Sequence, residues 1–170
     1  MSHQRDRIHE HVDAHPGRHF NALTRSLDLA PGQAQYHLRE LRRQGRVVEE
    51  RLYGRTHYYT PAYDARERRA IAVLRRETAR DVLFYLLEHG PSSPGTVADD
   101  LDIARSTLEW HLDHLTDQDL VAKRRGDHNR VTLAVPQPDE AVRLLEEITP
   151  SLSDRMVDRF TRLVDSLLAE

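Results

Sequence analysis

The sequence predicts a mainly α fold with small β hairpins, arranged as two tandem units followed by C-terminal helices. Three observations carry this. The run from Leu27 to Val48, LDLAPGQAQYHLRELRRQGRVV, recurs from Leu101 to Ala122, LDIARSTLEWHLDHLTDQDLVA, without a gap and at an offset of 74. Leu27, Asp28, Ala30, His37, Leu38, Leu41, Gln44 and Val47 recur as Leu101, Asp102, Ala104, His111, Leu112, Leu115, Gln118 and Val121, with Tyr36 matched by Trp110 and Leu29 by Ile103. Unrelated helices share a period but rarely identities at fixed spacing through turn, helix and strand, so the repeat reads as a duplicated small domain. Second, Ala34, Leu38 and Leu41 fall at i, i+4 and i+7, one apolar stripe on a helix. Third, β-branched and aromatic residues after that helix surround Gly54, which predicts a hairpin. The units are drawn at 1–63 and 64–136, with a helical tail at 137–170.

In chain order, His3 to His15 reads as a first helix with Ile8, Val12 and His15 on one face, ended by Pro16-Gly17. Asn21 is the expected N-cap of a short helix over Ala22 to Leu27. Pro31-Gly32 opens the long helix, 31–44, and Gly45 stops it. Val47 to Tyr59 forms the hairpin, and Pro61 to Arg66 links the units. One long helix from about Ala65 to His89 is expected to start the second unit, on a stripe of Ile71, Leu74, Thr78, Val82, Tyr85 and Leu86. Ser93 or Gly95 starts a short helix, Ala104 to Gln118 repeats the long one, and a second hairpin over Val121 to Val135 turns near Gly126-Asp127. Asp139 to Ile148 and Ser151 to Leu168 are read as tail helices broken at Pro150. On the last, Leu152, Met156, Phe160, Leu163 and Leu167 share a face with nearly coiled-coil spacing. That face either packs on its own unit or pairs two chains as a dimer.

Three helices followed by a two-stranded hairpin is the order of a winged helix-turn-helix. The run Phe20-Asn21-Ala22-Leu23, then Tyr36-His37-Leu38-Arg39-Glu40-Leu41, then Gly45, Val47, Gly54 and Tyr58-Tyr59, resembles archaeal transcriptional regulators with tandem winged helix-turn-helix domains of the ArsR/MarR-like superfamily. The resemblance covers about 135 residues and implies a DNA-binding regulator.

Composition sets the bounds. The absence of cysteine excludes disulfides, thiol metal sites and cysteine catalysis, and fits a reducing interior. The start, Met1 to His15, is polar and no run approaches the roughly 20 apolar residues of a membrane span, so a soluble, cytoplasmic protein is expected. Net charge is −3, divided as +3 over 1–63, −2 over 64–136 and −4 over 137–170. The first unit is therefore the better polyanion binder.

The long helix of the first unit presents amides and guanidinia opposite its apolar stripe. Gln33, Gln35, Tyr36 and Arg39 lie in the half that a helix-turn-helix offers to base edges. Arg pairs with guanine and Gln with adenine through two hydrogen bonds each. Arg42, Arg43 and Arg46 lie further along, towards phosphates, and Arg51, Arg55 and His57 are assigned to the wing. The alternative is that the arginines form a solvated face and His37, repeated as His111, packs the helix. In the second copy Asp113, Thr116, Asp117 and Asp119 replace Arg39, Arg42, Arg43 and Gly45, and Glu109 replaces Gln35. Carboxylates repel phosphate, so the expected DNA contacts there are Lys123, Arg124 and Arg125 of its wing.

Eleven histidines invite a metal test. His11 and His15 are spaced i, i+4, but no HExxH is present, and His111 and His114 lack an evident third ligand. No metal, cofactor or catalytic residue is assigned. Phosphate-binding and nucleophile motifs are absent, and adjacent acids such as Asp99-Asp100 diverge by roughly 100° on a helix. The expected partners are double-stranded DNA and a second copy of the chain, with the effector unknown. The reading is a sequence-specific regulator, a dimeric repressor by default. Its rival is a tandem winged-helix scaffold within a transcription or chromatin complex.

Overall fold

The computed structural model describes residues 3–149. Leu152, Met156, Phe160, Leu163 and Leu167, and the helix expected over 151–168, lie outside them. The chain separates into two compact units, Met1–Arg75 and Arg76–Glu170.

The first unit runs α1 (His3–Ala14), α2 (Phe20–Leu27), α3 (Pro31–Arg43), β1 (Val48–Leu52), β2 (Arg55–Tyr59) and α4 (Ala65–Leu74). Ile8 and Val12 of α1, Leu23 of α2, and Ala34, Leu38 and Leu41 of α3 meet Val47 and Tyr58 in one buried cluster. The stripe read from the sequence is thus the packed back of α3. Pro31 occupies the first turn of α3, where its missing N–H costs nothing. Gly45 follows at φ 69°, the left-handed conformation that closes a helix, and its N–H bonds Arg42 O. Tyr53 and Gly54 both have positive φ, the geometry of a two-residue hairpin turn whose twist matches the strands. Asn21 is not the cap of α2. The helix starts at Phe20 after His19, which offers no side-chain cap bond.

The second unit runs α5 (Glu77–His89), α6 (Pro94–Asp100), α7 (Arg105–Asp117), β3 (Ala122–Arg125), β4 (Val131–Ala134) and α8 (Pro138–Ile148). Ser93 caps α6 by accepting from Thr96 N–H. Its core gathers Val82, Leu86, Val97, Leu108, Leu112, Leu115, Val121 and Leu133, joined by Leu144, Leu145 and Ile148 of α8.

The single long helix expected over 65–89 is two helices. α4 ends at Leu74, Arg76 is extended (φ −82°, ψ 122°), and α5 begins at Glu77. No Pro or Gly marks the break, and the apolar stripe runs across it, so the sequence reads as continuous. The sequence-drawn boundary falls at 63/64, whereas α4 packs with the first unit. Ile71 Cγ2 lies 2.6 Å from where a Cβ on Gly17 would stand. The Tyr59 hydroxyl donates to Arg68 O, Arg68 pairs with Glu50 at 3.2 Å, and Arg75 donates to Pro16 O at 2.7 and 2.9 Å. Asp64 starts α4 with a reciprocal capping box to Glu67.

Candidate nucleic-acid interface

α3 is buried along Ala34, Leu38 and Leu41, and exposed along Gln33, Gln35, Tyr36, Arg39, Arg42 and Arg43. The first four of these stand in its first three turns. Tyr36 is 53 % exposed, with the Arg5 guanidinium 6.0 Å from its ring centre and His37 edge-on at 5.3 Å. An aromatic half in water on a cationic face is braced rather than packed.

The hairpin continues this face. Arg42 of α3 pairs with Glu49 of β1 at 3.2 Å, tying helix to wing. Side chains alternate along a strand, so Arg51 points to the same side as Glu49, and its cross-strand partner is Thr56. Among the described residues Arg39, Arg51 and Arg55 form no ion pair. Arg43 pairs with Glu40 at 2.8 Å and holds that exposed carboxyl below its ordinary range. Arg46 reaches Asp6 at 3.8 Å. Exposed pairs of this kind contribute little to stability and exchange readily for another anion.

His57 departs from its expected place on the wing surface. It is fully buried, with Nδ1 2.7 Å from Gly17 O. β2 is exposed only at its start and enclosed from His57 onward. His57 therefore joins the base of the wing to the α1–α2 turn, where Gly17 N–H also bonds Tyr58 O. The aromatic pair Tyr58-Tyr59 immediately after it was the available sign. Asp6 and Arg5, which flank the face from α1, leave no local sequence signal.

In the second unit the same surface has other chemistry. Gln35 is replaced by Glu109, which holds Lys123 at 2.8 Å and Arg105 at 3.5 Å. Lys123 is thereby engaged with its own helix, while Arg124 forms no ion pair among the described residues and Arg125 donates to Asn129 Oδ1 at 3.1 Å. Trp110 is 50 % exposed, flanked by Arg76 at 5.8 Å and by His114 edge-on at 4.2 Å. His111 is buried, and Nδ1 of both His37 and His111 lacks a hydrogen-bond partner among the described residues. Both histidines fill the packed flank of their helices.

The histidines at the end of α1 stand beside an arginine. The His11 and His15 rings are 4.6 Å apart, but Arg18 lies 3.2 Å from His11 Nε2. Burial, then His15, Arg18 and Arg75, depress the His11 pKa to about 4. Among the described residues no three His, Cys, Asp or Glu side chains gather as metal ligands, and no helix is long and apolar enough to cross a membrane.

Residues 2–71 match a family model described as an N-terminal HTH domain, and residues 74–124 match one described as a helix-turn-helix domain. Each unit is a winged helix-turn-helix domain. An HTH-type transcriptional regulator of Methanocaldococcus jannaschii is 26 % identical to this tandem protein over 127 residues, which are 75 % of the chain and 32 % of the relative. The chain thus spans about a third of the length of that relative. A transcriptional regulator homologue from Pyrococcus horikoshii OT3 is 19 % identical with a TM-score of 0.43, covering 48 % of this chain and 86 % of that one. An ArsR-like transcriptional regulator from Rhodococcus sp. RHA1 is 19 % identical with a TM-score of 0.40, covering 61 % of this chain and 90 % of that one. Both units thus match helix-turn-helix family models, and the curated relative is itself an HTH-type transcriptional regulator.

Proposed function

We propose that this protein is a sequence-specific double-stranded DNA-binding transcriptional regulator that reads the major groove with α3. The observation that carries the reading is the outward row Gln33, Gln35, Tyr36 and Arg39 on a helix whose other face is buried, continuous with a wing whose Arg51 and Arg55 have no ion-pair partner among the described residues. Amide and guanidinium groups at that end of a recognition helix can hydrogen-bond base edges, and the wing arginines can hold phosphates. Arg42, Arg43 and Arg46 release their carboxylates to phosphate on binding. In the second unit Arg124 and Arg125 touch the backbone, with Lys123 only after it leaves Glu109. Chains pair through the Leu152, Met156, Phe160, Leu163 and Leu167 seam, and the regulator represses by covering a promoter in the cytoplasm.

The test is binding to promoter fragments across a salt series. Affinity should fall steeply as salt rises, since each neutralised phosphate releases counterions. Joint replacement of Gln33, Gln35 and Arg39 by alanine should abolish sequence preference while leaving weak general binding. Sequence preference retained in that variant would remove α3 as the reader. A second reading, a scaffold for protein partners, is favoured by the carboxylates on α7. It gains if the intact protein binds no DNA at low salt.

A further inference from the structure

The two exposed large aromatic side chains among the described residues are Tyr36 and Trp110, and they occupy the same position of α3 and α7. Along α3 the stripe through Tyr36 continues with Arg39 and Arg43; along α7 the stripe through Trp110 continues with Asp113 and Asp117. All six residues are exposed, and the spacings are identical, three and then four residues, because both helices span the same register of the repeat. The two faces therefore share one register, with arginines on the first where the second has aspartates, and each aromatic has an arginine of its own unit beside it. Neither Asp113 nor Asp117 forms an ion pair with an arginine or lysine among the described residues, and Arg39 likewise forms none. Arg43 holds Glu40, an exposed pair that leaves guanidinium donors unused.

We propose that the Trp110–Asp113–Asp117 face of α7 docks the Tyr36–Arg39–Arg43 face of α3 from a second copy of the chain. The helices run parallel, Tyr36 against Trp110, Arg39 against Asp113 and Arg43 against Asp117. The occupant is argued from complementarity. A basic helix is what two carboxylates beside a half-exposed indole favour, and this chain carries one whose spacing matches residue for residue. Stacked aromatics supply the apolar contact at one end and the charge pairs supply register. The contact is small, so it is weak and reversible. It covers the same arginines that a nucleic acid would neutralise, so the α7 face acts as a stand-in for phosphate and holds the reading helix in check until DNA displaces it. The docking itself does not depend on the DNA reading and is measured without DNA.

The chain has no cysteine, which makes disulfide trapping clean. Full-length protein carrying Gly32→Cys is mixed with differently tagged protein carrying Ser106→Cys, positions one turn before Tyr36 and Trp110. At low salt the mixed disulfide should form at least about fivefold faster than with an Arg25→Cys control on α2. Adding Asp113→Arg and Asp117→Arg to the Ser106→Cys chain should return the rate to the control level. Adding Arg39→Asp and Arg43→Asp to its partner should then restore it. These are surface positions, and an unchanged circular dichroism melt confirms that each variant folds. Trapping no faster than control, or trapping indifferent to charge reversal, overturns the proposal. Trapping that survives charge reversal but vanishes at Trp110→Ala also overturns the paired-charge register. Loss of DNA binding in the Arg39→Asp chain speaks only to the DNA reading, whereas the charge-swap rescue speaks only to docking.

Discussion

Residues 3–74 and 77–148 repeat one order of helices and strands, and the two copies differ in the length of the hairpin turn and in what they show to solvent. α1, α3 and α4 of the first unit fall at the positions of α5, α7 and α8 of the second when numbers are shifted by 74. The turns between helices correspond at their hydrogen bonds. Asp28 and Asp102 are both left-handed (φ 52° and 53°), and Leu29 N–H to Thr24 O becomes Ile103 N–H to Ala98 O. Gly45 is matched by Asp119, also at positive φ, with the same bond to the third residue before it. Buried Ile8, Val12, Leu23 and Leu38 return as Val82, Leu86, Val97 and Leu112. Outside, the polarity turns over. The helix-to-wing bridge is Arg42–Glu49 in the first unit and Glu109–Lys123 in the second, so the strand residue at one wing position has changed sign. A fold constrains its interior through packing and leaves its face free to change partners.

The shared interior predicts matched losses. Leu38→Ala and Leu112→Ala should each destabilise their own unit by about 2–5 kcal/mol, since both side chains are buried in equivalent positions. Hydrogen exchange resolved by unit checks this, and a large loss in one copy only would break the equivalence. The divergent faces predict the opposite. Arg39→Ala should weaken preference for the specific site by about 1–3 kcal/mol, while Asp113→Ala leaves it unreduced, measured by competition with nonspecific DNA.

The first unit also has features that the second lacks. Gly17→Ala should destabilise it by about 1–3 kcal/mol, because φ is 78° and the new Cβ would stand 2.6 Å from Ile71 Cγ2. A chemical melt that leaves the first unit unchanged would deny that α4 closes on this turn. The helices α4 and α8 correspond, but only α4 has a capping box, while Gln137 before α8 gives no side-chain cap bond. Asp64→Ala should lower stability by about 1 kcal/mol, and Gln137→Asp should raise it by somewhat less.

The smallest effect concerns pH. His11 of α1 and His15 just after it form a ring pair, and their counterparts in α5 are the stacked Tyr85 and His89. His11 is held neutral in the fold, its pKa lowered from 6.5 to about 4. The unfolded chain therefore takes up the proton first. The contribution of His11 to stability is complete above pH 6.5, and declines as pH falls towards 4. His11→Tyr, the second unit's choice, should flatten the acid limb of the first unit's stability curve in thermal melts between those pH values. A steeper limb would contradict this.

Much of this was legible in the sequence. The α3 stripe, the Pro31 start, the Gly45 stop and the Gly54 turn are local signals, and local backbone preference honoured each. The exposure of Gln33, Gln35, Tyr36 and Arg39 followed from helical period alone. His57 did not, because whether a strand residue faces solvent depends on what covers the strand, here the α1–α2 turn. The break at Arg76 was hidden for a similar reason. Its apolar positions satisfy one continuous period, yet they serve two cores.

The sequence by itself determined a duplicated helix-turn-helix with one basic and one acidic copy, since identities at fixed spacing and charges on a helical period need no long-range knowledge. The tertiary structure decided the extent of each copy, giving α4 to the first unit because Ile71, Arg68 and Arg75 find their partners there. It also decided which cations are engaged, binding Lys123 to Glu109 and Arg42 to Glu49 while leaving Arg39, Arg51 and Arg55 without an ion pair among the described residues. Pairing of this kind depends on distances between elements far apart in the chain, and only folding sets those distances.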